Sequence, residues 1–363
     1  MPHQPHTIPL SPAQIALRLA GIGAVLAVSG AGFAYAGGWF SPARLTPARI
    51  VTALADRGGD PLGHRRNHSK GVCFTGDFAA NGQGAHYSTA AVLAKGDYPV
   101  TGRFGIATGN LLAADITGRV KSMAIRIVAP NGAEWRSGMN DSPVFAVATP
   151  QAFYEMTQAQ DVDPATGKPD PAAMKHFAKT HPGFAPFAAW AKTTPWTPSW
   201  ADQPYNSLNA FRFIDAGGDR HLVRWSMQPT VPLDPVPVAE LAKLGPNYLQ
   251  NDLSQRLTKG PLTWHLIVTL AAPGDPSNDA TKAWPTDRTH VVVGTLTVNQ
   301  TQPEANGPCR DLNYDPTILP TGIQISDDPL LPARSAAYAK SFDLRTSEAA
   351  DYPRKTPAEG SKP

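Results

Sequence analysis

Short runs of alternating or β-branched residues, set between glycine- and proline-rich connections, recur through the middle of this chain and constrain its fold more than any other feature. Residues 71–78, 100–107, 123–128 and 144–148 are such runs, and in Val100-Thr101-Gly102-Arg103-Phe104-Gly105-Ile106 the apolar positions alternate. Residues 263–270 and 290–298 are two more, with 291–298 strongly β-branched. Residues 211–214 and 221–227 flank the turn-rich link Asp215-Ala216-Gly217-Gly218-Asp219, a hairpin signal. Helical patterns stand between the strands: 47–56 after Thr46, 150–160 after Thr149, 172–181, 186–191, 247–257 and 331–342, the last begun by Asp327-Asp328-Pro329. Strands dominate, and no βαβ alternation is evident. The pattern therefore predicts an α+β fold: a mostly antiparallel sheet of about eight strands closed into a barrel around a filled interior, with inserted and flanking helices.

The chain has 363 residues, 42% of them hydrophobic, ample for a core. Its 32 Lys and Arg against 29 Asp and Glu leave a formal charge of +3, and no basic run carries interleaved aromatics, so nucleic acid is not an expected partner. Many of the 37 prolines fall in loops such as 195–204 and 229–237, which read as stiff irregular connections. Residues 19–34 are uncharged and follow Arg18, and Ala34-Tyr35-Ala36 offers small residues where a signal peptidase reads. This predicts an export signal over 1–36, cleaved after Ala36, and a periplasmic protein; the alternative is an uncleaved anchor giving membrane association through 19–34. The domain is expected over 44–346, with a polar, disordered tail over 347–363. Cys73 and Cys309 are open to two readings, a disulfide, which export permits, or buried free thiols.

Three distant segments carry chemistry-bearing side chains. Arg65-Arg66-Asn67-His68-Ser69-Lys70-Gly71 enters a strand, Asn140-Asp141-Ser142-Pro143-Val144-Phe145 leaves one, and Arg334-Ser335-Ala336-Ala337-Tyr338 sits on a helix, where positions four apart share a face. Singly, these read as a solvated histidine among basic neighbours, a turn, and a cation–π contact. Together and in this order they resemble the haem catalases, where Arg-x-x-His-x-Lys-Gly carries a distal histidine, Asn-x-x-Pro-x-Phe a distal asparagine and Arg-x-x-x-Tyr the axial tyrosine. The stretches Val100–Phe104, Lys282-Ala283-Trp284-Pro285 and Asp315–Ile323 are also similar to that family, and the likeness runs over residues 44–346.

The resemblance implies a haem, of the b type, with Tyr338 as axial iron ligand, His68 as distal acid–base and Asn140 as the group that orients peroxide. Arg65, Arg103 and Arg345 match propionate arginines, Phe145 and Phe153 match pocket aromatics, and Arg334 lies one turn before Tyr338. Free tyrosine loses its proton near pH 10, and a neighbouring cation favours the charged form. No Cys-x-x-Cys-His exists for covalent haem attachment.

Departures from the family pattern sharpen the expectation. Gly105 stands where many catalases have a serine that supports the distal histidine, Asn67 stands where a small aliphatic residue is usual, and 117–121 has no acid at the matching place. The chain is expected to lack the family's C-terminal helical domain, leaving a reduced core with a more open haem edge. That favours a peroxidase similar to the small exported catalase-related peroxidases, using hydrogen peroxide or organic hydroperoxides and a small organic electron donor. A true catalase, a non-catalytic haem carrier or sensor, a hydroperoxide rearrangement enzyme, a membrane-anchored scaffold and a homo-oligomer all remain open.

Overall fold

The computed structural model describes residues 10–41, 44–163, 166 and 168–354, so residues 1–9 of the expected export segment and 355–363 of the expected tail lie outside the described residues. Two compact units are present, Met1–Arg49 and Ile50–Pro363. The first holds helix α1 (Pro12–Ala36), begun by a capping box in which Ser11 and Gln14 satisfy each other's backbone. It is long and apolar enough to cross a membrane, and none of its apolar window is buried.

Helix α2 (Pro47–Gly58) starts where the Thr46 hydroxyl accepts the Arg49 N–H at 3.3 Å, as the capping pattern predicts. Strands β1 (Gly71–Ala80), β2 (Gly96–Ile106), β3 (Lys121–Val128) and β4 (Glu134–Asn140) then form a continuous antiparallel meander. Helix α3 (Pro150–Ala159), capped by Thr149, leads to the two-residue strands β5 (Val162–Asp163) and β6 (Lys168–Pro169), then α4 (Pro171–Thr180) and α5 (Ala185–Thr193). Next come β7 (Tyr205–Asn206), β8 (Phe211–Ile214), β9 (Arg220–Pro229), α6 (Val238–Leu241), α7 (Tyr248–Leu257), β10 (Leu262–Leu270), β11 (His290–Pro303), β12 (Ile323–Ile325) and α8 (Leu330–Ser347).

Eight of these strands close a ring in the order β10-β11-β1-β2-β3-β4-β7-β9, with β9 pairing back to β10; β8 and β12 extend β9 outward. Closure removes exposed sheet edges, and a ring of eight leaves an interior that side chains can fill. Alternation sends Phe74, Phe78, Phe104, Ile125, Trp135, Trp225 and Trp264 inward, all buried. Phe104 lies 4.6 Å from Phe74, 5.8 Å from Trp200 and 5.7 Å from Trp264 by ring centroid. Two of the indole N–H groups inside are paired, Trp225 donating to Ser137 Oγ at 2.9 Å and Trp264 to Gln203 O at 3.2 Å, whereas the buried Trp135 Nε1 has no partner among the described residues. At Gly102 a Cβ would stand 2.0 Å from the Phe74 ring, so glycine is what lets that ring into the core.

Two expectations are corrected. Residues 144–148 are not a strand: after Asn140 the chain turns out of the sheet through Asp141-Ser142-Pro143, and proline cannot donate to a ladder. The strand in that region is β4, whose inward Trp135, Ser137 and Met139 alternate as a strand requires, although arginine, serine and glycine dilute the signal. The tail is not free from residue 347. Glu348 takes a bidentate pair from Arg66 Nη2 at 2.6 and 2.8 Å, and Tyr352 stacks on His64 at 3.7 Å. A buried guanidinium that needs a partner holds this segment down.

Candidate functional site

Because the barrel is filled, its outer wall supplies the site. One row of facing residues runs Gly71–Gly105–Ser122–Asn140 across β1 to β4, and a second runs Cys73–Arg103–Ala124–Gly138. Two residues of strand separate the rows, about 7 Å. Over this wall lie α2, the turn 65–69 and one face of α8, made of Leu330, Ala333, Arg334, Ala337, Tyr338 and Phe342 at helical spacing. They enclose a largely apolar cavity with about 1300 Å³ of empty space, mouth included.

All nine residues singled out in the sequence line this one cavity: Arg65, His68, Arg103, Asn140, Phe145, Phe153, Arg334, Tyr338 and Arg345. His68 stands at the end of the turn with φ +51°, a left-handed conformation uncommon outside glycine and of the kind found where a side chain must be aimed. The Asn67 side chain helps hold it, accepting the His68 N–H at 3.0 Å. His68 Nδ1 is hydrogen-bonded to Ser122 Oγ at 2.9 Å. Burial, and then the charges of Arg103 and Arg334, press its pKa down to about 3, so the imidazole is neutral at physiological pH. Asn140, across the strand pair from Ser122, has no side-chain hydrogen bond among the described residues that would turn it away from the cavity. Phe145 and Phe153 stack at 6.0 Å and 14°.

On α8, Arg334 Nη2 lies 3.4 Å from Tyr338 Oη and donates to Gly138 O at 3.2 Å, while Nη1 donates to Asn209 Oδ1. Asn209 Nδ2 in turn donates to Asp328 Oδ2 at 2.8 Å, and Asp328 Oδ1 accepts the Leu330 N–H at the helix start. This chain of contacts fixes the arginine beside the phenol. The floor is small on purpose of space: a Cβ at Gly138 would stand 3.4 Å from both Tyr338 Oη and Arg334 Nη2.

Three guanidiniums share the remaining end. Arg65 donates to Cys309 O at 2.9 Å and Leu312 O at 3.0 Å, and Arg345 also donates to Leu312 O, at 2.9 Å. Burial, then the charges of Arg103 and Arg345, lowers the Arg65 pKa well below its usual value; burial above all brings Arg103 and Arg345 to about 10. Cys73 and Cys309 form a disulfide that ties β1 to the segment supplying those carbonyls, which settles the cysteine question.

Sequence reasoning missed Ser122 and Asn209, and read Asp328 only as a helix start. Ser122 had one available signal, the vacancy at Gly105, since the two positions face each other across β2 and β3. Asn209 had none, because its bonds to Arg334 and Asp328 are set by tertiary contact.

The catalase family model matches residues 45–352. A catalase-related peroxidase of Synechococcus elongatus is 35% identical over 332 residues, spanning 92% of this chain and 96% of that protein. One of Mycolicibacterium paratuberculosis is 30% identical over 305 residues, spanning 83% and 95%. A solved bacterial catalase superposes with a TM-score of 0.71 at 23% identity, over 87% of this chain but 64% of its own. The matched region contains the whole cavity, and the chain belongs to the catalase family.

Proposed function

We propose that this protein is a haem-dependent peroxidase that reduces hydrogen peroxide or organic hydroperoxides at the expense of a small organic electron donor. The observation that carries the reading is the assembly of His68, Asn140 and Tyr338, from three distant segments, on the walls of one apolar cavity. The donor set fits a haem, of the b type. Tyrosine oxygen is a known haem ligand in catalases, the stacked phenylalanines offer apolar ring contacts, and three buried guanidiniums with depressed pKa values call for anions of the propionate kind.

Tyr338 is the iron ligand in this reading, with Arg334 held beside its oxygen to favour the phenolate. A haem held by these residues would supply redox-active iron, able to pass two electrons to a peroxide and to accept electrons one at a time from a donor. The protein's residues manage the protons. With Nδ1–H directed at Ser122, His68 presents the Nε2 lone pair to the cavity, accepts the proton of the incoming peroxide and returns it to the departing oxygen. Asn140 donates to the peroxide and orients it. Two electrons and two protons from the donor complete the reduction of ROOH to ROH and water.

Export to the periplasm is part of the proposal, with α1 as signal or as membrane anchor; the uncharged run 19–34 after Arg18 and the Ala34-Tyr35-Ala36 sequence support it. Preference for a donor over a second peroxide is supported by the near-complete match to two catalase-related peroxidases, whereas the chain spans only 55% of a Pseudomonas aeruginosa catalase.

One experiment tests the reading. Protein expressed with haem supply is expected to show a high-spin ferric spectrum with phenolate character, lost in Tyr338→Phe, and to oxidise an aromatic donor faster than it releases oxygen from hydrogen peroxide. His68→Ala is expected to keep the haem and lose about a thousandfold in peroxide turnover. Oxygen release outpacing donor oxidation identifies a catalase; unchanged turnover in His68→Ala removes the mechanism.

A further inference from the structure

The arginines at the end of the cavity are not bare. Glu304, just after β11, is only 10% exposed, and its carboxylate bridges two of them. Arg103 Nε donates to Oε1 at 3.1 Å and Nη2 to Oε2 at 2.7 Å, a fork-to-carboxylate pair, while Arg65 Nη1 also donates to Oε1. Arg345 has no carboxylate hydrogen-bonded to it among the described residues and donates to main-chain carbonyls instead. The neighbouring cations are matched elsewhere: Arg66 pairs with Glu348 and Arg310 with Asp311.

We infer that Glu304 is the resident counter-ion of a carboxylate cradle, neutralising one of the three positive charges of Arg65, Arg103 and Arg345 so that the cradle matches a ligand bearing two carboxylates. The inference rests on the haem reading and deepens it, since it assigns a residue and a charge count to cofactor selection. Three positive charges less one leaves two. A buried ion group of that kind is stable when its net charge is cancelled and strained when it is not. The mutual effect of the arginines agrees, for after burial the charges of Arg103 and Arg345 both lower the Arg65 pKa.

The local structure is built to hold this pair. Arg103 lies flat across two glycines: a Cβ at Gly71 would stand 2.6 Å from its Cζ, and one at Gly105 would stand 2.7 Å from its Nη1. Its Nη2 also donates to Ser69 O at 2.9 Å, so the guanidinium is aimed before any ligand arrives. Glu304 is the first residue after β11, the strand that pairs with β1 on the side away from β2, and reaches the cradle from the turn that follows it.

The test is a titration of the whole apoprotein with iron protoporphyrin and with its mono- and dimethyl esters, followed by absorbance. For the wild-type chain each esterification is expected to weaken binding about tenfold, because each removes one charge-assisted pair. A monoester that binds as tightly as the diacid overturns the match to two carboxylates. In Glu304→Gln the diacid is expected to bind about tenfold tighter and the dimethyl ester no tighter, while the apoprotein loses thermal stability that the diacid restores. Equal or weaker diacid binding in that variant overturns the role given to Glu304. Should the variant not fold, the wild-type ester series still decides the charge count. If none of the three porphyrins binds, the haem reading itself has failed, an outcome distinct from the others.

Discussion

Replacing Ser122 by alanine isolates the contact that aims the His68 imidazole. The hydroxyl lies 2.9 Å from His68 Nδ1 on the cavity wall, and no other side chain is hydrogen-bonded to that ring among the described residues. One such bond is worth about 1 kcal/mol net in stability. Its effect on reactivity is set by orientation: without the Oγ acceptor nothing fixes the proton on Nδ1, and the tautomer with Nε2–H cannot take a proton from peroxide. An unfavourable tautomer and rotamer balance of that size corresponds to roughly fivefold in rate. Ser122→Ala is therefore expected to bind haem with an unchanged spectrum and to react with peroxide about fivefold more slowly in stopped flow. Ser122→Thr restores the hydroxyl on a residue that strands favour, and should recover most of the rate. Nitrogen NMR of the diamagnetic apoprotein gives a readout independent of activity, with His68 moving from Nδ1–H toward Nε2–H in the alanine variant. A variant that reacts within twofold of wild type, or keeps its tautomer, refutes the argument.

Two further perturbations follow from the same geometry. The His68 pKa is depressed to about 3, so the rate of reaction with peroxide should stay level as pH falls through 6.5, where an ordinary histidine would titrate. Over that interval the unfolded chain holds the extra proton and the folded one does not, so His68 lowers stability as pH drops from 6.5 towards 3; melting curves of His68→Gln should fall less steeply there than those of wild type. The Cys73–Cys309 disulfide closes a loop with a sequence separation of 236. Its reduction should cost about 5 kcal/mol in the chain-entropy account, seen as a fall of roughly 10 °C in melting temperature, with weaker haem binding because Cys309 O and Leu312 O hold Arg65.

Most of the fold could be read in the chain because its strands are locally consistent. The β-branched 291–298, the hairpin across 215–219 and the Thr46 and Thr149 caps each state their structure within a few residues, and each stands where expected. What failed had a local reason. β4 sets inward Trp135, Ser137 and Met139 against outward Arg136, Gly138 and Asn140; Gly138 and Asn140 line the cavity, and an outer face that must be small and polar there does not read as a strand. Residues 144–148 are apolar for a different purpose: Phe145 reaches the cavity, while Val144, Ala146 and Val147 are buried beside it, outside the sheet.

The residues that line the cavity were legible in the sequence and the contacts that support them were not, and Gly105 shows why. The glycine signalled that something else must hold His68, yet only the register of β2 against β3 reveals that the opposite residue, Ser122, does so. The same glycine has a second duty, since Arg103 Nη1 occupies the space a side chain there would take. Restoring a serine by Gly105→Ser should therefore not improve the enzyme. Its Cβ would stand 2.7 Å from Arg103 Nη1 and 3.3 Å from Ser122 Oγ, in a region where Arg103 is pinned by Glu304 and Ser69. Crowding of this kind costs about 1–3 kcal/mol. The expected result is weaker haem binding, through a displaced Arg103, with no gain in peroxide rate. In the double variant Gly105→Ser with Ser122→Gly the hydroxyl moves across the strand pair, and His68 should regain a partner while the cradle stays disturbed. Peroxide rate and haem affinity should then respond non-additively, as residues in contact do. If the single substitution were silent in both measurements and the two changes simply added, Gly105 would be a neutral vacancy and the coupling between the arginine cradle and the imidazole support would not exist.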